Sequence, residues 1–329
     1  MALVQTVNGE VDSDSLGFTL MHEHLANISV GMYDQWPHLI DMSSVRDKII
    51  LAVEAAYSLG VRTVVDLTTP NLGRNVALMR EVAAATGMNV ICATGIHPLF
   101  PVPMLLDAVA GPRAEMNVDE VADLFVHDIA VGIAGTGIRA GMIKTGTDPY
   151  LDKRSEACLR ASARAHRRTG VPISTHTNPQ NKVGLVQQDV FESEGVDLSR
   201  VVIGHCGDSD DIEYLSAICN RGSFVGMDRF GYSMPGTPAE NIDVERRVRV
   251  VKSMCDRGFA DRIVVSHDAV CWSDIFADEY RAAALPDWNL TYIESEVIPL
   301  MRRSEIREAD IVKMTILNPR SVFDNSSIY

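Results

Sequence analysis

One rhythm governs the chain and limits what it can fold into. A short, β-branched apolar run is followed by a polar cluster and then by a stretch with helical spacing, and the unit recurs eight times. The predicted strands lie at 18–21, 63–67, 89–94, 139–143, 171–174, 200–203, 223–227 and 262–265. Predicted helices follow at 43–59, 74–86, 119–133, 153–169, 181–194, 210–220 and 244–257, with a final pair at 292–303 and 305–317. The apolar runs do not alternate with polar residues, as expected when both faces of a parallel sheet are covered. Several predicted helices stop at a glycine, among them Gly87, Gly170 and Gly258, which suits a left-handed C-terminal cap. Eight such units point to an α/β fold of the closed (β/α)8 TIM-barrel type. An open doubly wound sheet would want a G-x-G-x-x-G turn after a strand, and none follows any of these. With no Pro/Gly-rich linker, residues 1–329 read as a single domain with the barrel at about 18–319. A short N-terminal β-hairpin precedes it, with Asn8-Gly9 as the turn signal.

Composition narrows the partners. Thirty basic against 44 acidic residues give a net charge of −14, which argues against nucleic acid and anionic membrane surfaces, since both need a concentrated positive field. No apolar run approaches the roughly 18 residues of a membrane-spanning helix. The first ten residues lack the basic and apolar segments of a secretory leader. Six scattered cysteines without a C-x-x-C pair form neither a disulfide framework nor a zinc ribbon. The expectation is a cytoplasmic protein with reduced thiols, acting on a small molecule.

In a barrel of this kind, reactive side chains gather where strands meet the loops that follow them. Those positions hold His22 and His24 in Met-His-Glu-His-Leu, Lys144 in Gly-Met-Ile-Lys-Thr-Gly, His176 in Ile-Ser-Thr-His-Thr, His205 in Ile-Gly-His-Cys-Gly-Asp, and Asp268 in Val-Ser-His-Asp. His22 and His24 are two apart, so an extended strand projects both to one side and turns Glu23 away. One histidine alone is most simply a hydrogen-bonded core residue. Four at strand ends with an aspartate are better explained as ligands of a divalent cation, with zinc the default for imidazole and carboxylate, and cobalt, manganese or an iron–zinc pair suited to the same atoms. Lys144 has two readings. A buried amine loses its proton readily and can capture carbon dioxide as a carbamate, an anionic ligand able to bridge two metals. The plainer reading is an ion pair with Asp148 or Asp268.

The ordered set His-x-His, Lys, His, His, Asp on successive strands resembles the phosphotriesterase family of the amidohydrolase superfamily. The flanking text, including Thr-Leu-Met-His-Glu-His-Leu, Val-Ile-Gly-His-Cys-Gly-Asp-Ser and Met-Asp-Arg-Phe-Gly, is most similar to the phosphotriesterase-like lactonases, from about Gly17 to Pro319. The resemblance implies a binuclear centre. His22, His24 and Asp268 would hold the more buried metal, His176 and His205 the more exposed one, and carboxylated Lys144 would bridge them with a water-derived hydroxide. Asp268 would receive the proton, making Asp268 and Lys144 the catalytic residues. The implied activity is hydrolysis of lactones, such as acyl-homoserine or other γ/δ-lactones, with secondary organophosphate triesterase activity. The implied assembly is a homodimer. A dedicated phosphotriesterase or carboxylic-ester hydrolase is the alternative, and a metal- and ligand-binding barrel without turnover is the remote third.

One departure bears on substrate. Lactonases of this type place a tyrosine soon after Ala-Thr-Gly, whereas this chain reads Ala-Thr-Gly-Ile-His-Pro-Leu-Phe and puts His97 there. His97 is a candidate substrate contact or a solvent-binding residue. Arg229 is a second candidate contact, with an ion pair to Asp228 or Asp268 as the competing reading. Trp272, with Phe276 and Trp288 in the long segment after the last strand, is expected to wall an apolar pocket; the competing reading is a subunit contact, which the surface around Trp36 could equally supply. His127 and His166 are expected on helix surfaces or beside a helix C-terminus, and His38 in a loop. His267 should turn outward while Asp268 faces in, and Cys206 should pack as a small apolar residue.

Overall fold

The computed structural model describes residues 2–101, 117–237 and 239–324. Strands β1 (Leu3–Thr6) and β2 (Gly9–Asp12) form the expected antiparallel hairpin, closed by a turn at residues 7–8 with Gly9 at φ +115°. All eight expected barrel strands are present as β3 (Phe18–Asn27), β4 (Val61–Asp66), β5 (Asn89–Gly95), β6 (Met142–Thr147), β7 (Ile173–Thr177), β8 (Val201–Ile203), β9 (Phe224–Met227) and β10 (Ile263–Val265). Neighbours pair in parallel from β3 round to β10. A ninth strand, β11 (Val270–Ser273), was not anticipated; it pairs parallel to the outer half of β3. The ring closes at this seam, where Asp268 N–H donates to His22 O (2.9 Å) and His24 N–H donates to Ala269 O (2.8 Å). The architecture is an α/β TIM-type barrel with an N-terminal hairpin.

Two boundaries differ from expectation for a physical reason. β3 runs ten residues because it has a partner on both sides, β4 below and β11 above, so His22 and His24 lie inside the strand rather than past its end. β6 starts three residues later than expected and continues through Thr145 and Thr147, β-branched residues that favour the extended backbone.

Side chains alternate across the barrel wall. Val65, Leu67, Ile91, Ala93, Met142, Val202, Phe224 and Val264 form one interior cluster with Met21, closed off by Val4 and Leu16 from the N-terminal segment and by Val322 and Phe323 from the C-terminal helix. Their strand neighbours Val64, Val90, Cys92, Ile143, Val201, Ile203, Val225, Ile263 and Val265 belong to the larger cluster under the helices. The interior is therefore a packed plug, and only its upper end is left for polar chemistry.

The outer helices carry the caps their sequences call for. Asp41, Asn75, Asn117, Asp152, Asp211 and Asp243 each accept backbone N–H groups at a helix start, and Gly87 and Gly170 end helices in the left-handed conformation. The last two expected helices are interrupted. Wide π-turns at Ile293–Val297 and Lys313–Leu317 lead into Ile298–Arg303 and Asn318–Phe323, which carry Pro299 and Pro319 near their starts. Proline has no N–H for the preceding turn, and the ladder widens there instead of continuing. His166 departs from expectation. It is fully buried rather than on a helix surface, with Nδ1 2.8 Å from Val171 O, and burial pushes its pKa down to about 4. No helix among the described residues is long and apolar enough to cross a membrane.

Candidate metal centre and its cavity

At the upper end of the barrel a cavity of about 250 Å³ opens over a ring of polar side chains. His22 and His24 reach it from β3, Lys144 from β6 and His176 from β7. His205 and Asp268 lie just beyond β8 and β10, and both adopt left-handed backbone, with φ of 58° and 54°. The six predicted ligand positions therefore meet in one place. His22 Nε2 and His24 Nε2 lie 3.3 and 3.2 Å from Asp268 Oδ1, and His205 Nε2 lies 3.9 Å from Asp268 Oδ2. His176 Nδ1 is 2.9 Å from His205 Nε2, and Lys144 Nζ is 2.9 Å from His22 Nε2. His22, His205 and Asp268 offer ligand atoms within 4.8 Å of one another.

Whether such a ring suits a cation depends on which nitrogen each imidazole keeps free. His22 Nδ1 is 2.8 Å from Asp228 Oδ2, and His205 Nδ1 is 3.0 Å from Asp228 Oδ1. His24 Nδ1 is 2.8 Å from Thr68 Oγ1, and His176 Nε2 is 3.2 Å from Asp148 Oδ2. Every imidazole thus spends its outer nitrogen on an oxygen and turns the other toward the centre, which is how metal-binding histidines are oriented by their surroundings. Burial lowers the pKa of His22 and His176 and drives that of His205 well below the ordinary imidazole range, so the inward nitrogens of these three carry lone pairs. Burial works against the charge of Asp268, yet His22, His205 and Arg229 beside it hold the carboxyl well below its usual range. Neutral nitrogens with an ionised carboxylate make a donor set that fits divalent zinc or its neighbours.

Lys144 is 1% exposed, and burial pushes its amine down to about 8. Lys144 forms neither of the expected ion pairs, with Asp148 or with Asp268. Asp148 is taken up by His176 and Asn178, and the hydrogen-bond partner of Lys144 is His22. Gly95 makes room for this strand, since a Cβ there would sit 1.9 Å from Lys144 O.

Arg229 has its ion pair, with partners that only half match expectation. Nε lies 3.0 Å from Asp268 Oδ2 and a terminal nitrogen 2.8 Å from Asp208 Oδ2, while Asp228 serves the histidines. Asp208 also takes Arg247, fully buried, at 2.9 Å. His97 is buried on the cavity wall with its ring edge-on to His176, centroids 4.9 Å apart. Asn71 grips its backbone on both sides, accepting from His97 N and donating to His97 O. The side-chain Nδ1 of His97 has no hydrogen-bond partner among the described residues. Trp272 does not line the cavity, contrary to expectation. It follows Val270 along β11, level with Ala26 rather than with His24, and is packed against the core; Val270, Phe276 and Trp288 line the cavity instead, with Tyr232.

Thr68 and Asp208 carry no role in the sequence reading, and Asp228 only that of a partner for Arg229, whereas it holds His22 and His205. Asp228 had a usable signal, because Phe224, Gly226 and Asp228 share one strand parity and Phe224 fills the interior. Gly226 is what admits it, since a Cβ there would meet Asp228 Oδ2 at 2.6 Å. Glu23 and His267 do point away from the ring, as expected, and are paired with each other.

The sequence profile of the Phosphotriesterase family matches residues 2–323. A "Phosphotriesterase homology protein" of Mycobacterium tuberculosis is 41% identical over 335 residues, covering 100% of both chains. An "Aryldialkylphosphatase" of Saccharolobus solfataricus is 37% identical over 316 residues, covering 95% of this chain and 96% of its own. Among solved structures, the phosphotriesterase from Mycobacterium tuberculosis matches with a TM-score of 0.90 at 40% identity, over 99% of this chain and 100% of that one. Identity of 37–41% at near-complete coverage, together with the family match, leaves one assignment: this chain belongs to the phosphotriesterase family and is a metal-dependent hydrolase.

Proposed function

We propose that the protein hydrolyses lactones, with organophosphate triesters as secondary substrates, at a centre of two divalent cations held by His22, His24, His176, His205, Asp268 and a carboxylated Lys144. The observation that carries this reading is the position of Lys144: its Nζ, buried and easily deprotonated, lies 2.9 Å from an inward imidazole nitrogen in the middle of the ring. Zinc is the first choice by donor type. When bound, the cation pair supplies an acidified water and a Lewis-acid contact for the carbonyl or phosphoryl oxygen. Asp268, ionised, is the group placed to accept a proton inside the ring, and Arg229 holds its Oδ2 in the acceptor orientation. His97, on the wall above His176, offers an imidazole hydrogen bond to the substrate. Phe276, Tyr232 and Trp288 supply apolar surface for its substituents. Water is kept from the lower side by the packed barrel plug.

A dedicated phosphotriesterase is the second reading. It is favoured by the names of two similar proteins, an aryldialkylphosphatase and a phosphotriesterase. Six free cysteines support a reducing, cytoplasmic setting. The segment after β3 exposes Val30, Tyr33, Trp36 and Leu39, apolar surface of the kind a homodimer contact covers.

The deciding experiment titrates proton release by zinc-loaded protein against lactones of graded ring and tail size, beside a panel of organophosphate triesters. Hydrolysis of lactones in preference supports the first reading, and triester hydrolysis without lactone hydrolysis supports the second. Full metal loading with no turnover of either class would sink both.

A further inference from the structure

Between the two histidines of His22-Glu23-His24, the glutamate is fully buried and faces away from the cavity. Its carboxylate is almost wholly used by one stretch of chain. Oε1 accepts from Ser266 Oγ (2.7 Å), from His267 N (2.9 Å) and sits 2.7 Å from His267 Nδ1; Oε2 accepts from Ala269 N (2.8 Å). Those residues flank Asp268 on both sides. Asp268 is the one member of residues 266–269 not bonded to Glu23, and its side chain projects the opposite way, onto His22, His24 and Arg229. A left-handed residue with a Cβ stays so only when its surroundings over-determine it, and here a buried carboxylate folds the chain around itself. Ser266 Oγ passes the restraint on, since it also accepts from His22 N at 2.9 Å.

The same turn touches the cavity wall. His267 Nε2 accepts from Ile293 N at 3.0 Å, and His267 O accepts from Trp288 Nε1 at 3.0 Å. Trp288 lines the cavity. His267 is thus held by Glu23 on one ring nitrogen and by the returning segment on the other.

We propose that Glu23 and His267 are a buried positioning pair, which sets the backbone turn that aims Asp268 into the ring and links that setting to Trp288 on the substrate side. Neither residue touches substrate; both act through Asp268. The assignment rests on reading Asp268 as a metal ligand, so the test must separate the two ideas.

Protein loaded with Co(II) serves, because its visible absorption reports ligand geometry independently of turnover. Wild-type protein that takes up no Co(II) would remove the ligand reading and the pair with it. With wild-type uptake established, Glu23→Gln keeps the shape of the side chain but brings an amide against donors. It should retain metal, shift the Co(II) spectrum, and lower kcat by about tenfold to a hundredfold while KM stays within about threefold. Since Glu23→Gln risks misfolding, two substitutions at His267 decide independently. His267→Asn can still donate to Glu23 from the Nδ1 position, whereas His267→Gln can serve only the Ile293 side. The asparagine variant should keep the native Co(II) spectrum and kcat more closely than the glutamine variant, at comparable thermal stability. Trp288→Phe, which keeps a ring but loses the indole donor, should shift the spectrum in the same direction as Glu23→Gln. A spectrum and kcat unchanged in Glu23→Gln and His267→Gln, or a glutamine variant at least as native as the asparagine one, overturns the proposal.

Discussion

The ring of candidate ligands is built in two ways. His22, His24, Lys144 and His176 ride on regular strands, where the in–out alternation of the pleat aims them. His205 and Asp268 follow strands of only three residues, β8 and β10, and reach the ring from left-handed backbone. That conformation costs an L-residue about 1–2 kcal/mol in general, though His and Asp enter it more readily than most. The pleated half needs little beyond its strands. The turned half needs scaffolding, and the scaffolding is visible: Asp228 accepts from His205 N and faces its Nδ1, and Glu23 cradles residues 266–269. The lesson is that a strand positions a ligand through its period, whereas a turn positions one only through a buried acceptor that holds the turn in place.

The strongest way to break this comparison is to remove one ligand from each half. Lys144→Ala on the pleated side and Asp268→Asn on the turned side should each lower kcat/KM by about a thousandfold or more, ~4 kcal/mol of transition-state stabilisation, with the far-ultraviolet circular dichroism unchanged. Steady-state hydrolysis of the best lactone or triester is the measurement. On the proposed reading Lys144→Ala should regain part of its activity on adding a short carboxylate such as acetate or propionate, because the group removed would be a carbamate projecting from a regular strand. Retained activity in either variant would count against the ring as the reactive centre.

How much of this was legible in the sequence follows the same division. The eight strands, the hairpin and the ring residues could be read because periodicity and motif spacing are local properties. The in-and-out assignment of Glu23 and His267 followed from parity alone. What could not be read depends on contacts made across the fold. β11 forms because the chain after Asp268 returns beside β3, which no local signal announces. Trp272, chosen for its size and place after the last strand, is carried along β11 away from the cavity, and Trp288 occupies the wall instead. His166 sits in a helix rich in arginine, yet its position faces the barrel and finds Val171 O. Asp228 and the adjacent Arg229 do not pair; Asp228 serves His22 and His205, while Arg229 reaches Asp208 and Asp268 from other parts of the fold.

Asp228 sharpens the comparison because it serves both halves at once. It takes His22 Nδ1 from the pleated side and His205 Nδ1 from the turned side. Asp228→Asn should therefore weaken metal affinity by about tenfold to a hundredfold, read by competition with a chelator. Thr68→Val removes support from His24 alone, where the strand already fixes the direction, and should cost less than Asp228→Asn in the same assay. Gly226→Ala tests the fit by a different route. The added methyl group would lie 2.6 Å from Asp228 Oδ2 and 3.2 Å from Gly204 Cα, so Asp228 must shift. Overpacking of this kind costs about 1–3 kcal/mol, to be seen as a lower unfolding midpoint together with weaker metal binding. Equal effects of Thr68→Val and Asp228→Asn would dissolve the distinction between the halves.

The smallest expected effect lies outside the ring, at His97. Its backbone is clamped by Asn71, so a larger side chain can be exchanged there without moving the chain, and its Nδ1 holds no partner among the described residues that a substitution would strand. Burial, with His176 and Lys144 nearby, keeps its imidazole well below the ordinary range, so on the proposed reading it would meet substrate as a neutral ring. A tyrosine would reach further into the cavity and present a hydroxyl in place of that ring. His97→Tyr should leave bound metal per chain unchanged and alter the ratio of lactone to triester kcat/KM by less than about tenfold, within the ~1.4 kcal/mol of one altered hydrogen bond. Metal analysis and paired kinetics on the two substrate classes provide the check. Loss of metal in this variant would make His97 a seventh member of the ring, and would mean that the pleated half extends past β5 into the loop that follows it.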